Sequence, residues 1–180
     1  KAIDMHSHCG TKKGYLWRTP EDISRAERHF RFQAVYKTEE EQAEYFRKNN
    51  VRVILDLGFP SRLPLEEARE YHDYAGQLQR DYPDVILGNW INVSPRLGRK
   101  GLQEVERCLK DQGGIGFSMM GTTGRLPPND KLFWPFYELC IEAKAPVLLN
   151  VGFTGEGAGH PGGKGLLLEH CHPRYVDEVA

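Results

Sequence analysis

Apolar runs recur at residues 2–6, 51–57, 85–93, 114–120 and 146–151, and the segments between them carry apolar residues at helical spacing. The runs are rich in β-branched or large side chains and are bounded by Gly, Pro or Asn, which predicts buried parallel strands. Thr38 precedes Glu39, Glu40 and Glu41, an N-cap followed by acids in a first helical turn, with Ala43 and Phe46 behind them. Leu65, Ala68, Tyr71 and Ala75 mark a second helix, and Leu102, Val105 and Leu109 a third. Phe133, Phe136, Tyr137 and Cys140 mark a fourth, capped by Asn129 or Asp130, and a final helix starts after Pro173. This alternation is that of successive βα units. It predicts an α/β fold with five units in one domain over residues 1–180. A doubly wound sheet and a β/α barrel both accommodate it, and in both the chemistry collects at the carboxyl ends of the strands. Residues 9 to 37 form an enlarged, aromatic and basic loop in the first unit, which reads as a lid or a wall.

The first strand runs into His6-Ser7-His8. Residues i and i+2 of a strand share a face, so both imidazoles leave on one side. Two neutral imidazoles side by side are half of a divalent metal site. Asp4 follows the same alternation and is expected to hold one of the imidazoles. His29 and His72 read as surface positions.

Charge and cysteine content narrow the partners. With 24 basic and 25 acidic residues the net charge is −1, so no basic field favours nucleic acid or an anionic membrane. No apolar run approaches the ~18 residues of a membrane span, and no secretory signal is visible. Cys9, Cys108, Cys140 and Cys171 form no Cys-x-x-Cys pair. Scattered thiols point to a reducing, cytoplasmic compartment.

With these residues in view, the chain resembles the amidohydrolase superfamily, in the branch of aminocarboxymuconate-semialdehyde decarboxylase. The resemblance rests on IDMHSHCG, on GGIGFSMMGTTGRLPPNDKLFWPFYELCIEAKAPVLLNVG, and on GAGHPGGKG followed by HPRYVDEVA. It implies a (β/α)8 barrel of TIM type, of which these residues make the first five units. It also implies an enzyme: a hydrolase of C–O or C–N bonds, or a non-oxidative decarboxylase, acting on a small carboxylated or ring-derived substrate. A divalent metal, zinc first, is expected at His6 and His8. Family members commonly end strand five with a metal-binding His, where this chain has Asn150. The family's general base would follow a later strand, beyond Ala180. The alternative is a catalytically inactive barrel acting as a scaffold.

Asn150, Ser118 and His160 complete the candidate site as substrate-binding residues. Asn150 and Ser118 fall near strand ends, and His160 lies in the glycine-rich stretch 157–163. Gly157-x-Gly159-x-x-Gly162 contains Pro161 and no strand or ribose-binding acid follows it, which excludes a dinucleotide site. Trp17, Arg18 and Phe30 are expected to shape the pocket over an unsaturated or aromatic carboxylate. A half-barrel exposes apolar edges, so a homo-oligomer is expected.

Overall fold

The structure is a computed structural model and describes residues 2–152 and 155–180. Strand β1 (Ala2–His8) is followed by helices α1 (Pro20–Phe30) and α2 (Glu39–Lys48), then by β2 (Val51–Asp56) and α3 (Leu65–Asp81). Next come β3 (Ile86–Ile91), α4 (Arg99–Asp111), β4 (Gly114–Met120), a short α5 (Gly121–Gly124), α6 (Trp134–Ala143), β5 (Val147–Asn150) and α7 (Arg174–Asp177).

All five strands pair in parallel, in the order β1-β2-β3-β4-β5. A doubly wound sheet reverses its strand order at a switch point. Here each new strand adds to the same edge, the progression of a β/α barrel. The described strands make a half-barrel.

Side-chain parity divides the sheet. Val53 and Leu55 of β2, with Leu57 just beyond it, pack against Ala43 and Phe46 of α2 and Ala75 and Leu78 of α3. Ile91, Phe117 and Met119 pack against Val105 and Cys108 of α4 and Phe136 and Cys140 of α6. The alternate positions, among them Asp56, Asn92, Ser118, Met120 and Asn150, face a cavity at the carboxyl ends.

The Thr38 cap forms as expected. Its hydroxyl accepts from the Glu41 amide, and the Glu41 carboxylate accepts from the Thr38 amide, a reciprocal capping box.

Three expectations are corrected. The long first loop contains α1, whose N-cap Thr19 accepts from the Asp22 amide and whose first residue is Pro20. Asp4 does not hold an imidazole ring. A register shift between Asp4 and Ser7 inserts an extra β1 residue against β2, and the Asp4 carboxylate turns back to accept from the His6 amide. His72 is not at the surface but buried, 3% exposed. It lies one turn before Ala75 and Gly76 on the apolar face of α3 and is paired there with the fully buried Glu104 of α4, at 2.8 Å.

Candidate active site

His6 and His8 sit at the carboxyl end of β1, their ring centroids 5.1 Å apart. The β1–β2 register places His8 directly beside Asp56, the last residue of β2. His8 Nδ1 lies 2.9 Å from the Asp56 backbone carbonyl, so it carries the proton and leaves Nε2 with its lone pair. The Asp56 side chain is only 2% exposed. Its Oδ1 accepts from the Gly58 amide at 2.7 Å and its Oδ2 from the Ser118 hydroxyl at 2.9 Å. His6 Nε2 lies 3.1 Å from the same Oδ2, yet without the alignment of a hydrogen bond, and that nitrogen is buried. The adjacent carboxylate raises the His6 pKa above 6.5, against the opposing effect of burial.

These residues open onto a cavity of about 520 Å³. Its floor is His6, His8, Asp56, Asn92, Ser118 and Asn150. Asn92 is held in place on both sides, accepting from the Ser61 amide and donating to the Ser118 carbonyl, each at 3.0 Å. Trp17, Phe30 and Phe59 supply aromatic walls, and Arg18, Arg25, Arg62 and Lys164 supply positive charge. Arg25 is paired to Asp22 at 2.6 Å and Arg62 to Glu156 at 3.0 Å. Arg18 lies over the Phe59 and Tyr71 rings, 4.6 and 4.8 Å from their centroids.

Helix α1 and the loop around Gly155 close the outer side. A side chain at Gly155 would collide with the Phe30 ring, 2.9 Å from the position of its Cβ, so glycine allows loop and helix to touch. The segment Pro161–Gly165 continues this wall, with Lys164 facing inward.

Of the residues expected from sequence, His6, His8, Ser118 and Asn150 share this cavity, and Trp17, Arg18 and Phe30 line it. His160 does not. It stands behind the wall, with Nε2 3.9 Å from Asp22. Burial, Arg25 and Lys164 push its pKa down. Cys9 is buried, and burial pushes its thiol up, away from the thiolate a nucleophile needs. Asp56 is the residue that sequence reasoning missed. Its signal was an acid inside the apolar run VRVILDL.

His6 and His8 offer two imidazole donors to a divalent cation, and no third His, Cys, Asp or Glu among the described residues joins them with all ligand atoms within 4.8 Å. His6 Nε2 is buried without an aligned hydrogen-bond partner, and the Asp56 carboxylate lies 3.1 Å from it. Among the described residues the one group of three donors with ligand atoms within 4.8 Å of one another is His72, Glu104 and Cys108, and it fits a cation poorly. Arg69 and Arg107 already lie 2.9 and 2.8 Å from the Glu104 carboxylate and would repel a cation.

The amidohydrolase family model matches residues 3–180, and the chain belongs to that family. No curated protein matches it. Solved structures share the fold. The 5-carboxyvanillate decarboxylase of Novosphingobium aromaticivorans, complexed with manganese and 4-hydroxy-3-methoxy-5-nitrobenzoic acid, is 15% identical with a TM-score of 0.60, over 84% of this chain and 50% of its own. The same enzyme from Sphingomonas paucimobilis is 15% identical with a TM-score of 0.60, over 94% and 58%. A dihydroxybenzoic acid decarboxylase from Polaromonas, with manganese and 2-nitroresorcinol, is 16% identical with a TM-score of 0.58, over 86% and 51%. The chain thus spans about half the length of these proteins.

Proposed function

We propose that the protein is a non-oxidative decarboxylase of a small aromatic or unsaturated carboxylic acid, working at the carboxyl ends of the barrel strands. One observation carries this reading: aromatic walls, cationic side chains and the His6–His8–Asp56 cluster share a single cavity of small-molecule size. The decarboxylase neighbours support it, since two of them were solved with manganese and nitrated phenolic compounds.

The residues divide the work. Trp17, Phe30 and Phe59 hold a flat ring by its faces and exclude water. Arg18, Arg62 and Lys164 favour entry of an anion. Ser118, fixed on Asp56, and Asn150 orient polar substituents at the floor. His6 and His8 hold a divalent metal, which when bound polarises a substrate oxygen. Zinc and manganese both suit imidazole and carboxylate donors. Hydrolysis of a C–O or C–N bond is the second reading, because a polarised carbonyl at the same floor suits acyl chemistry equally.

The test is a panel of hydroxybenzoates, unsaturated acids and lactones with Mn²⁺ or Zn²⁺, read by CO₂ release and product mass. Decarboxylation releases CO₂, whereas hydrolysis adds the mass of water. Replacing both His6 and His8 by Ala is expected to cut turnover at least about a hundredfold. Unchanged turnover refutes the site.

No helix among the described residues is long and apolar enough to cross a membrane. The four cysteines are free and buried, which supports a reducing, cytoplasmic setting. Open strand edges support self-association.

A further inference from the structure

We propose that Arg18 is the subsite for a second acid group on the substrate, so that the cavity favours ring acids with two carboxylates over those with one. The inference rests on the reading above that the cavity takes an aromatic or unsaturated acid.

The first argument is charge. The cavity wall carries four Arg or Lys side chains, Arg18, Arg25, Arg62 and Lys164. Arg25 is paired with Asp22 and Arg62 with Glu156. Among the described residues no carboxylate lies within ion-pair distance of Arg18. Its partners are a carbonyl, a hydroxyl and two ring faces, none of them charged. The guanidinium charge is thus left for a ligand to balance.

The second argument is preorganisation. Nη1 donates to the Lys13 carbonyl at 2.7 Å, and Nη2 donates to the Tyr71 hydroxyl. The guanidinium lies over Phe59 and Tyr71, two rings that meet edge to face 4.8 Å apart. Phe59 is itself in the core, so the platform is fixed. A guanidinium has five N–H donors. Lys13 and Tyr71 each take one, and the rest can form the paired bonds that a planar carboxylate accepts. Because the head is already held, little rotamer freedom is lost when such a group docks. Lys164 also lacks an acid partner, but it stands among the glycines of Pro161–Gly165 as an unbraced point charge.

The third argument is placement. A Cβ at Gly58 would lie 3.4 Å from the His8 ring and 3.0 Å from the Leu16 side chain. Phe59, the platform under Arg18, is the next residue. Arg18 therefore stands at the upper end of a wall whose foot is His8. One acid group at the floor and a second at Arg18 lie along that wall. The ring between them meets Trp17 and Phe30, which stack with centroids 6.0 Å apart.

The test is calorimetric binding of isophthalate and benzoate in the presence of Mn²⁺, which needs no turnover. Circular dichroism checks the folding of each variant. Wild type is expected to bind isophthalate at least about tenfold more tightly than benzoate. In Arg18→Gln, isophthalate is expected to lose at least about tenfold and benzoate less than about threefold, so the preference disappears. Lys12→Gln, which removes an exposed cation outside the cavity, is expected to keep the preference. Its loss there makes the effect one of overall field and overturns the assignment. Equal binding of the two acids by wild type, a preference that survives in Arg18→Gln, or an equal loss for both acids also overturns it, and leaves the reading of the cavity standing. Binding of neither acid by wild type overturns both readings. If Arg18→Gln does not fold, wild type is modified with phenylglyoxal and its peptides are weighed. Protection of Arg18 by isophthalate and not by benzoate supports the assignment, and equal or absent protection overturns it.

Discussion

Two buried acids are handled in opposite ways. The Glu104 carboxylate is fully buried and accepts from His72, Arg107, Arg69 and Cys108. Burial alone would raise its pKa, but these hydrogen bonds together hold it well below the usual carboxylate range. A depressed pKa stabilises the fold above the ordinary glutamate value of 4.5, and that contribution is lost as pH falls below it, toward the folded-state value. Urea melts on the full chain at neutral and acid pH check this: wild type loses stability on the acid side, and Glu104→Gln flattens that slope. At neutral pH Glu104→Gln is expected to cost about 3 kcal/mol, because a buried histidine and two arginines lose their counter-charge. Asp56 has no such cage of cations and lines the cavity instead. The sequence showed the histidines of the site because two of one type at spacing two are conspicuous in a strand. It hid Asp56 because pairing between strands is not a local property. It misplaced His72 because the residue that makes its burial tolerable lies 32 positions away.

Elements with strong local periodicity were visible before the structure, and all five strands fall within a few residues of their expected bounds. Helix α1 was readable too, from Thr19-Pro20-Glu21-Asp22, a cap, a first-turn proline and two acids. The aromatic content of the surrounding loop masked that signal. Between elements, Gly116 of β4 packs directly against Pro146, the residue that leads into β5. A Cβ there would stand 2.1 Å from the Pro146 carbonyl oxygen and 2.8 Å from the Trp90 ring. The backbone oxygen cannot rotate away, so Gly116→Ala must part the two strands. The expected loss is about 2–3 kcal/mol, read as a lower denaturant midpoint with an unchanged slope. A variant as stable as wild type would show that the strands have room to spare.

At the level of the whole molecule, local pattern revealed the succession of βα units but not their arrangement in space. A doubly wound sheet and a barrel are written with the same periodicities, and only the resemblance to the amidohydrolases chose between them before the strand order did. That order leaves β1 and β5 at the two edges of the sheet. Ile3 and Met5 on β1 are 56% and 54% exposed. Unpaired strand edges with apolar neighbours recruit partners. The 180-residue chain alone is therefore expected to sediment faster than a 20.6 kDa monomer at micromolar concentration. A monomer at all concentrations would contradict this.

The irregular register of β1 has a consequence for how such a sequence changes over time. Pairing restarts at Ser7 and His8, downstream of the bulge. His8 takes its orientation from this carboxyl-terminal pairing, while His6 lies within the bulged stretch between Asp4 and Ser7. Residues before the bulge can gain or lose a position without turning His8 to the wrong face, since the bulge absorbs the difference. The segment ahead of the bulge is free to drift in length, whereas one residue inserted between Ser7 and His8 would break the pairing that seats His8 beside Asp56.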